Sequence, residues 1–355
     1  MNIKEIQFYQ PHFSLYFHIH NTINSHKLID IKRRYYLEEI LEVTNQKYHT
    51  SNTILKSKVF DSYKNINFIK EVFCKCMPLL DPMYFLASNY NNLVNRNHHL
   101  PSCYNYNTFE KINNMNNNAY IDTFLSFICS ELTINNINPS FPIFYGSVNG
   151  IKKTYNFDIT EDYDSLNNEK WFHKNIEKYN FEIDMYVSSD EEETSESDIS
   201  DSNSSEEDID ENNKKTYSNT NSTLSIDSLE SNTNDYIISL KDLPVQLFFI
   251  EKLQGTLEDL LSDLEGLNTD IILSCIFQIS FALMYMQKHY NFTHNDLHVN
   301  NIMFTSTPKT FIYYKYNNIY FKVPTNGYIF KIIDFGRAIF TFHNKLFFND
   351  TFEKH

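Results

Sequence analysis

The sequence predicts an α+β fold, with strand-like runs before about residue 250 and a long helix, a hairpin and a further strand after it. Short runs of β-branched and aromatic residues, Glu71–Cys76 (closed by Pro78), Phe141–Tyr145 and Leu243–Ile250, read as strands. Apolar residues at helical spacing fall at Ile121, Leu125, Ile128, Cys129 and Leu132, and again along a longer stretch from Asp270 to His289. Between these two halves of the pattern lies a polar, acidic stretch from Ser188 to Asp235.

Taken in chain order, residues 1–55 read as an N-terminal extension of unassigned role, with an amphipathic helix expected over Ile31–Leu41. A β-rich unit is expected over 56–250, with strand-like sequence from Phe68, a helix over 118–135 and a strand at Phe141–Tyr145 closed by Gly146–Gly150. Ser188–Asp235 is made of Ser, Thr, Asn, Asp and Glu and is too poor in apolar residues to order itself, so a disordered insert is expected. Beyond it come a turn at Gly255, a short helix to Ser262, the long helix, and a hairpin over Phe311–Val323 turning at Asn317-Asn318. A buried strand, Ile329–Ile333, then delivers Asp334.

The net charge of −15 is concentrated rather than spread. Twelve carboxylates and no Lys or Arg lie between Asp190 and Glu211, which leaves about −3 for the remainder. No basic patch argues for nucleic acid. Five cysteines without paired spacing (Cys74, Cys76, Cys103, Cys129 and Cys275) suit a reducing compartment better than a disulfide framework or a zinc site. The N-terminus lacks the apolar core of a signal peptide, and no run approaches the ~18 apolar residues of a membrane span, so a cytoplasmic protein without a membrane partner is expected.

The residues that carry chemistry are His294-Asn295-Asp296-Leu297-His298-Val299-Asn300-Asn301 and Asp334-Phe335-Gly336. Phosphoryl transfer requires a carboxylate to align the attacking hydroxyl, hard oxygen ligands for magnesium, and positive charge on the α/β-phosphates. Asp296 and Asn301 stand at the spacing of H-R-D-L-x-x-x-N, and Asp334 stands in D-F-G. Together with Ile250–Leu261 and the long helix, these segments resemble the eukaryotic-type protein-kinase superfamily. The likeness is greatest to the serine/threonine kinase-like proteins of giant and other large DNA viruses, through Thr293–Asn301, Val323–Gly327 and Ile332–Ala338. It is specific from Leu243 onward, weaker over Val72–Gly150, and does not reach residues 1–55.

The resemblance implies a protein-kinase-like two-lobe fold, with a β-rich N-lobe at 56–250 and a partial helical C-lobe at 251–355. It implies ATP and Mg2+ as cofactors and a protein substrate phosphorylated on Ser or Thr. Asp296 would be the base, Asn301 and Asp334 the metal ligands, and His298 would stand where the family has a Lys touching the γ-phosphate. Lys75 would hold the α/β-phosphates, with Lys70 as a rival. Glu251 and Leu253 would meet adenine through their backbone, and the helix acid paired with Lys75 would be Asp122 or, failing that, Glu131.

Several positions depart from the family pattern. Phe73 stands where a small residue faces adenine, and no glycine precedes Gly146, so phosphate would be approached by non-glycine backbone around Lys56–Asn67. Asn295 replaces the Arg that senses activation-loop phosphorylation. No A-P-E segment follows Asp334-Phe335-Gly336, which implies a truncated C-lobe and a partner to cover it. Two other readings follow: a pseudokinase that binds without turnover, and a small-molecule kinase of the aminoglycoside or choline type, whose loops read H-N-D-x-x-x-x-N.

Overall fold

The computed structural model describes residues 2–7, 10–11, 33–45, 51–88, 90, 100–101, 109–179, 181–187, 215–216, 234–262 and 268–350. Most of the expected insert, 188–214 and 217–233, lies outside these residues.

The fold is α+β and dominated by one curled antiparallel sheet. Its main path runs β1 (Ile3–Gln7), β5 (Phe144–Asp158), β8 (Asn234–Glu251), β4 (Ile66–Pro78), β3 (Thr53–Asp61) and β2 (Tyr35–Asn45) in space. Strand β8, 18 residues long, organises this sheet. Along one side it pairs with β5; along the other it pairs first with β6 (Glu182–Val187) and then, from Val245, with β4. A two-residue strand β7 (Lys215–Thr216) adds to β6. Between β5 and β6 lie the short helices α4 (Tyr163–Leu166) and α5 (Lys170–Tyr179).

Two sequence expectations are corrected in this sheet. The helix expected over Ile31–Leu41 is strand β2 from Tyr35 onward, because pairing with β3 and packing of Tyr35 and Leu37 on the core override a helical spacing. Residues 1–55, read as an extension, therefore supply strands β1 and β2 to the sheet. Nor does Gly146–Gly150 close the strand at Tyr145, since β5 continues through both glycines to Asp158. Gly146 sits at a bulge with φ +146°, where a Cβ would come within 2.9 Å of the Arg33 guanidinium.

Three helices connect β4 to β5: α1 (Pro82–Leu86), α2 (Glu110–Asn113) and α3 (Asn118–Ile134). Helix α3 is buried on nearly every side, as expected of a helix apolar all round. The sheet covers one face. The β14–β15 hairpin (Ile339–Phe342, Lys345–Phe348) covers another, with the Phe124 ring 5.2–6.0 Å from those of Phe340, Phe342 and Phe347.

After β8 the chain makes β9 (Gly255–Thr256), α6 (Leu257–Ser262) and α7 (Thr269–Tyr290), close to expectation. By length and composition α7 passes for a membrane span, contrary to the expectation that no run does, with a mean hydropathy of 1.6 over its best window. Here it is a packing helix. Gln278, fully buried, bonds the backbone of Tyr328 and Phe330 on β13 (Tyr328–Ile332). Strand β10 (Ile302–Ser306) joins β9 to β13. The hairpin β11–β12 (Phe311–Tyr316, Ile319–Pro324) turns at Asn317 and Asn318, both at positive φ, as the sequence predicts.

Candidate functional site

Lys75 and Asp334, 259 positions apart in the chain, meet in the cleft below the sheet, joined by Asp122. Alternation along β4 buries Val72, Cys74 and Cys76 on one face and turns Phe73 and Lys75 to the other. From there Lys75 Nζ reaches Asp122 Oδ2 at 2.6 Å and Asp334 Oδ1 at 3.0 Å. Asp122 comes from the second turn of α3 and has no exposed surface. Its other oxygen accepts from the Phe335 N–H at 2.9 Å, which ties helix α3 to the Asp-Phe-Gly segment.

The rivals fall elsewhere. Glu131 lies three turns along α3 beside Asn135, and Lys70 points toward Glu251 and the Tyr145 ring.

Two carboxylates sharing one ammonium ionise unequally. Burial works against the Lys75 charge, but Asp122 and Asp334 outweigh it and raise the lysine above its ordinary range. Burial also raises Asp334, yet Lys75 prevails and holds this carboxyl below its usual value. Asp122 goes the other way: complete burial and the neighbouring Asp334 raise it against the pull of Lys75.

Asp334 itself adopts φ +61°, and a Cβ on Gly336 would lie 2.2 Å from Asn118 Oδ1, the end of an exposed side chain that can turn aside.

The loop after α7 is fastened to the same segment. His294, nearly buried, donates from Nε2 to the Ile333 carbonyl at 3.0 Å, because a carbonyl can only accept. Burial holds its imidazole below the usual range, and Nδ1 has no hydrogen-bond partner among the described residues. Ile333 N–H donates to the Asn301 carbonyl at 3.1 Å. The Asn301 side-chain amide lies 2.9 Å from the Asp296 carbonyl and 3.0 Å from His298 Nε2. The first contact assigns the nitrogen as donor, so His298 accepts and the Asn301 Oδ1 is left as the oxygen facing away.

His298 is therefore engaged with Asn301 rather than extended as a free cation. Asp296 forms an ion pair with Arg337 at 3.3 Å, and the Arg337 carbonyl accepts from Asn295 Nδ2 at 3.0 Å.

At the end of β8, the Glu251 N–H donates to the Ile143 carbonyl at 2.8 Å, so one of the backbone groups expected to meet a base is already bonded. The Glu251 carboxylate turns inward to Lys331 Nζ at 2.8 Å. Burial alone would raise this carboxyl, but Lys331 and Lys70 hold it below its ordinary value.

The expected phosphate-approaching stretch is misplaced. Lys56–Asp61 lie within β3, and the turn at 62–65 stands at the far end of the hairpin from Lys75. Thr53 pairs with Cys74, so Ser51 and Asn52, the described end of the segment before β3, stand at the Lys75 end of the hairpin. The Asn52 side chain accepts from the Cys76 N–H at 2.9 Å.

Sequence reading did not anticipate Arg337 on Asp296 or Lys331 on Glu251. Both are lysines or arginines on strand-like or loop sequence, with nothing local to mark their partners. Among the described residues no group of three or more His, Cys, Asp or Glu is placed to hold a metal.

No family model matches the chain. A stretch of 85 residues is 36% identical to a protein of Invertebrate iridescent virus 6 described as "Uncharacterized protein 098R". The match covers 23% of this chain and only 14% of that protein.

Proposed function

We propose that this protein is a phosphotransferase of the protein-kinase type that moves the γ-phosphate of ATP, with magnesium, to Ser or Thr of a protein. The observation that carries this reading is the Lys75 ammonium held between Asp122 and Asp334. A lysine strand, an acid-bearing helix, a hinge strand, a long helix, a base-bearing loop and Asp-Phe-Gly also follow one another in the order the resemblance implies.

The donor set fits magnesium: one part-exposed carboxylate, Asp334, and one neutral amide oxygen, from Asn301, would hold it with phosphate supplying further oxygens. When bound, the ion neutralises phosphate charge. Lys75 presents a fixed positive charge to the α/β-phosphates, kept protonated by Asp122. Asp296, part-exposed beside Asn301, is the carboxylate able to accept a hydrogen bond from the acceptor hydroxyl.

A second reading, nucleotide or partner binding without turnover, is favoured by the Arg337–Asp296 pair, by Phe73 on the Lys75 face, and by the glycine-free β2–β3 connection.

The deciding experiment measures ATP affinity with and without magnesium, and γ-phosphate transfer to a mixed protein acceptor, for wild type, Asp334→Asn and Asp296→Asn. The proposal expects transfer in wild type and at least a hundredfold loss in each variant (roughly 10²–10⁴ for a positioned acid or base). Transfer indifferent to Asp334→Asn would sink it, and tight ATP binding without any transfer would favour the second reading.

A further inference from the structure

A buried polar chain runs from the N-terminal segment to helix α3. Gln10, 1% exposed, donates from Nε2 to Ser147 Oγ at 2.7 Å on β5, and its Oε1 accepts from Gln246 Nε2 at 2.9 Å. Gln246, wholly buried in β8, accepts at Oε1 from Thr123 Oγ1 at 2.8 Å. Thr123, also without exposed surface, is the residue after Asp122. Adjacent helix residues point about 100° apart. The hydroxyl that meets the sheet therefore fixes the rotation that sends the Asp122 carboxylate to Lys75 and to the Phe335 N–H.

Each link of this chain is direct: Thr123 donates to Gln246 and Gln246 to Gln10 at under 3.0 Å, and Ser147 Oγ meets both atoms of the Gln10 amide, at 2.7 and 3.0 Å. A buried amide or hydroxyl that loses such a partner has no water to turn to. Gln10 is thus the N-terminal residue whose removal leaves Gln246 without an acceptor, and Gln246 in turn is what Thr123 donates to.

We infer that Gln10 is a positioning residue: through Gln246 and Thr123 it sets the rotation of α3 that keeps Asp122 on Lys75. This gives the N-terminal segment a role in the site, and its functional meaning rests on the phosphate-holding role proposed for Lys75.

The test reads Lys75 itself and requires no nucleotide. The full-length protein is pulsed with acetic anhydride at pH 8, and acetylation of Lys75 is followed by mass spectrometry against exposed lysines such as Lys153 as internal reference. A Lys75 amine no longer clasped by Asp122 at 2.6 Å is free to swing out and meets the reagent more often. Gln10→Ala and Thr123→Val are expected to raise the relative rate about fivefold to tenfold, in keeping with one lost buried hydrogen bond. Thr123→Ser, which keeps the hydroxyl, stays near wild type, and Asp122→Asn gives the upper limit.

Hydrogen exchange of α3 amides checks that each variant is folded. If Gln10→Ala does not fold, Thr123→Val against Thr123→Ser still decides. Lys75 rates unchanged in folded Gln10→Ala and Thr123→Val, while Asp122→Asn raises them, overturn the inference. So does an equal rise in Thr123→Ser and Thr123→Val. If the rates behave as expected but wild type binds no ATP, the inference stands and the phosphotransferase reading fails.

Discussion

Replacing Lys75 with Met removes the one cation shared by Asp122 and Asp334 and leaves the rest of the cleft in shape. Breaking a buried ion pair from one side typically destabilises by about 3–5 kcal/mol. Lys75 and Asp334 retain 19% and 39% of their side-chain exposure, so most of the penalty falls on Asp122, which retains none. Asp122 can escape by taking up a proton. From an ordinary carboxyl value near 3.9, that escape costs about 1.4 kcal/mol per pH unit, hence roughly 4 kcal/mol at pH 7 and roughly 1.5 kcal/mol at pH 5.

The expected loss is therefore about 3 kcal/mol at pH 7, falling to no more than about 1.5 kcal/mol at pH 5. A group whose folded-state value lies above its unfolded one is favoured at low pH and penalised as pH rises through the folded value. The direction of the Asp122 shift, upward through burial, gives that sign. Urea unfolding at pH 5, 7 and 8, followed by tryptophan and far-ultraviolet signals, measures the gap. The double variant Lys75→Met/Asp122→Asn should recover most of it, because the amide oxygen still accepts from the Phe335 N–H. A loss equal at pH 5 and pH 8, or no recovery in the double variant, would refute the reasoning.

Three further outcomes are expected. Gly336→Ala meets only the end of the exposed Asn118 side chain, which can turn aside, and should change stability by no more than about 0.5 kcal/mol, read as a near-unchanged thermal midpoint. Lys331→Met takes from the Glu251 carboxylate, 13% exposed, its nearer cation and leaves Lys70 at 4.0 Å, at a cost of up to about 3 kcal/mol near neutral pH. Because the wild-type Glu251 is held below its ordinary value, the stabilisation is present above about pH 4 and fades as pH falls through the folded value, so the two proteins should converge in acid. Asn318→Val puts a β-branched residue at φ +65° in the β11–β12 turn and should cost about 1–2 kcal/mol, measurable by denaturation.

What proved legible from sequence was local. The β11–β12 turn, the long helix α7, the helix over 118–134 and the curve of the loop between Asp296 and Asn301 each depend on residues a few positions apart. Strand pairing depends on residues far apart, and there the reading failed. Nothing within Ile31–Leu41 announces that β3 will claim Tyr35–Asn45, and nothing near Lys56 reveals that hairpin register puts Thr53, not the turn at 62–65, at the Lys75 end. The choice between Asp122 and Glu131 was a question of helix rotation. It is answered by Thr123 against Gln246 and by Ser130 receiving the Phe144 N–H, two contacts across the sheet.

The candidate site also differs from a bare set of base and metal ligands in that each member already has a partner from the chain. Asp334 has Lys75, Asn301 has His298, and Asp296 has Arg337. These partnerships differ in strength, and the difference orders what a bound substrate would have to displace. The Arg337–Asp296 pair is 64% and 33% exposed at its two ends, and such solvent-facing pairs are worth about 0–1 kcal/mol. On the proposed reading, an acceptor hydroxyl would therefore take the Asp296 oxygen at little cost. Lys75 is anchored far more firmly to Asp122 at 2.6 Å, inside a buried pair, than to the part-exposed Asp334. On the proposed reading, an incoming phosphate would draw Lys75 off Asp334 first and leave Asp122 in place. Asp334 is thereby the carboxylate released to a cation, and Asp122 the one that keeps the lysine charged.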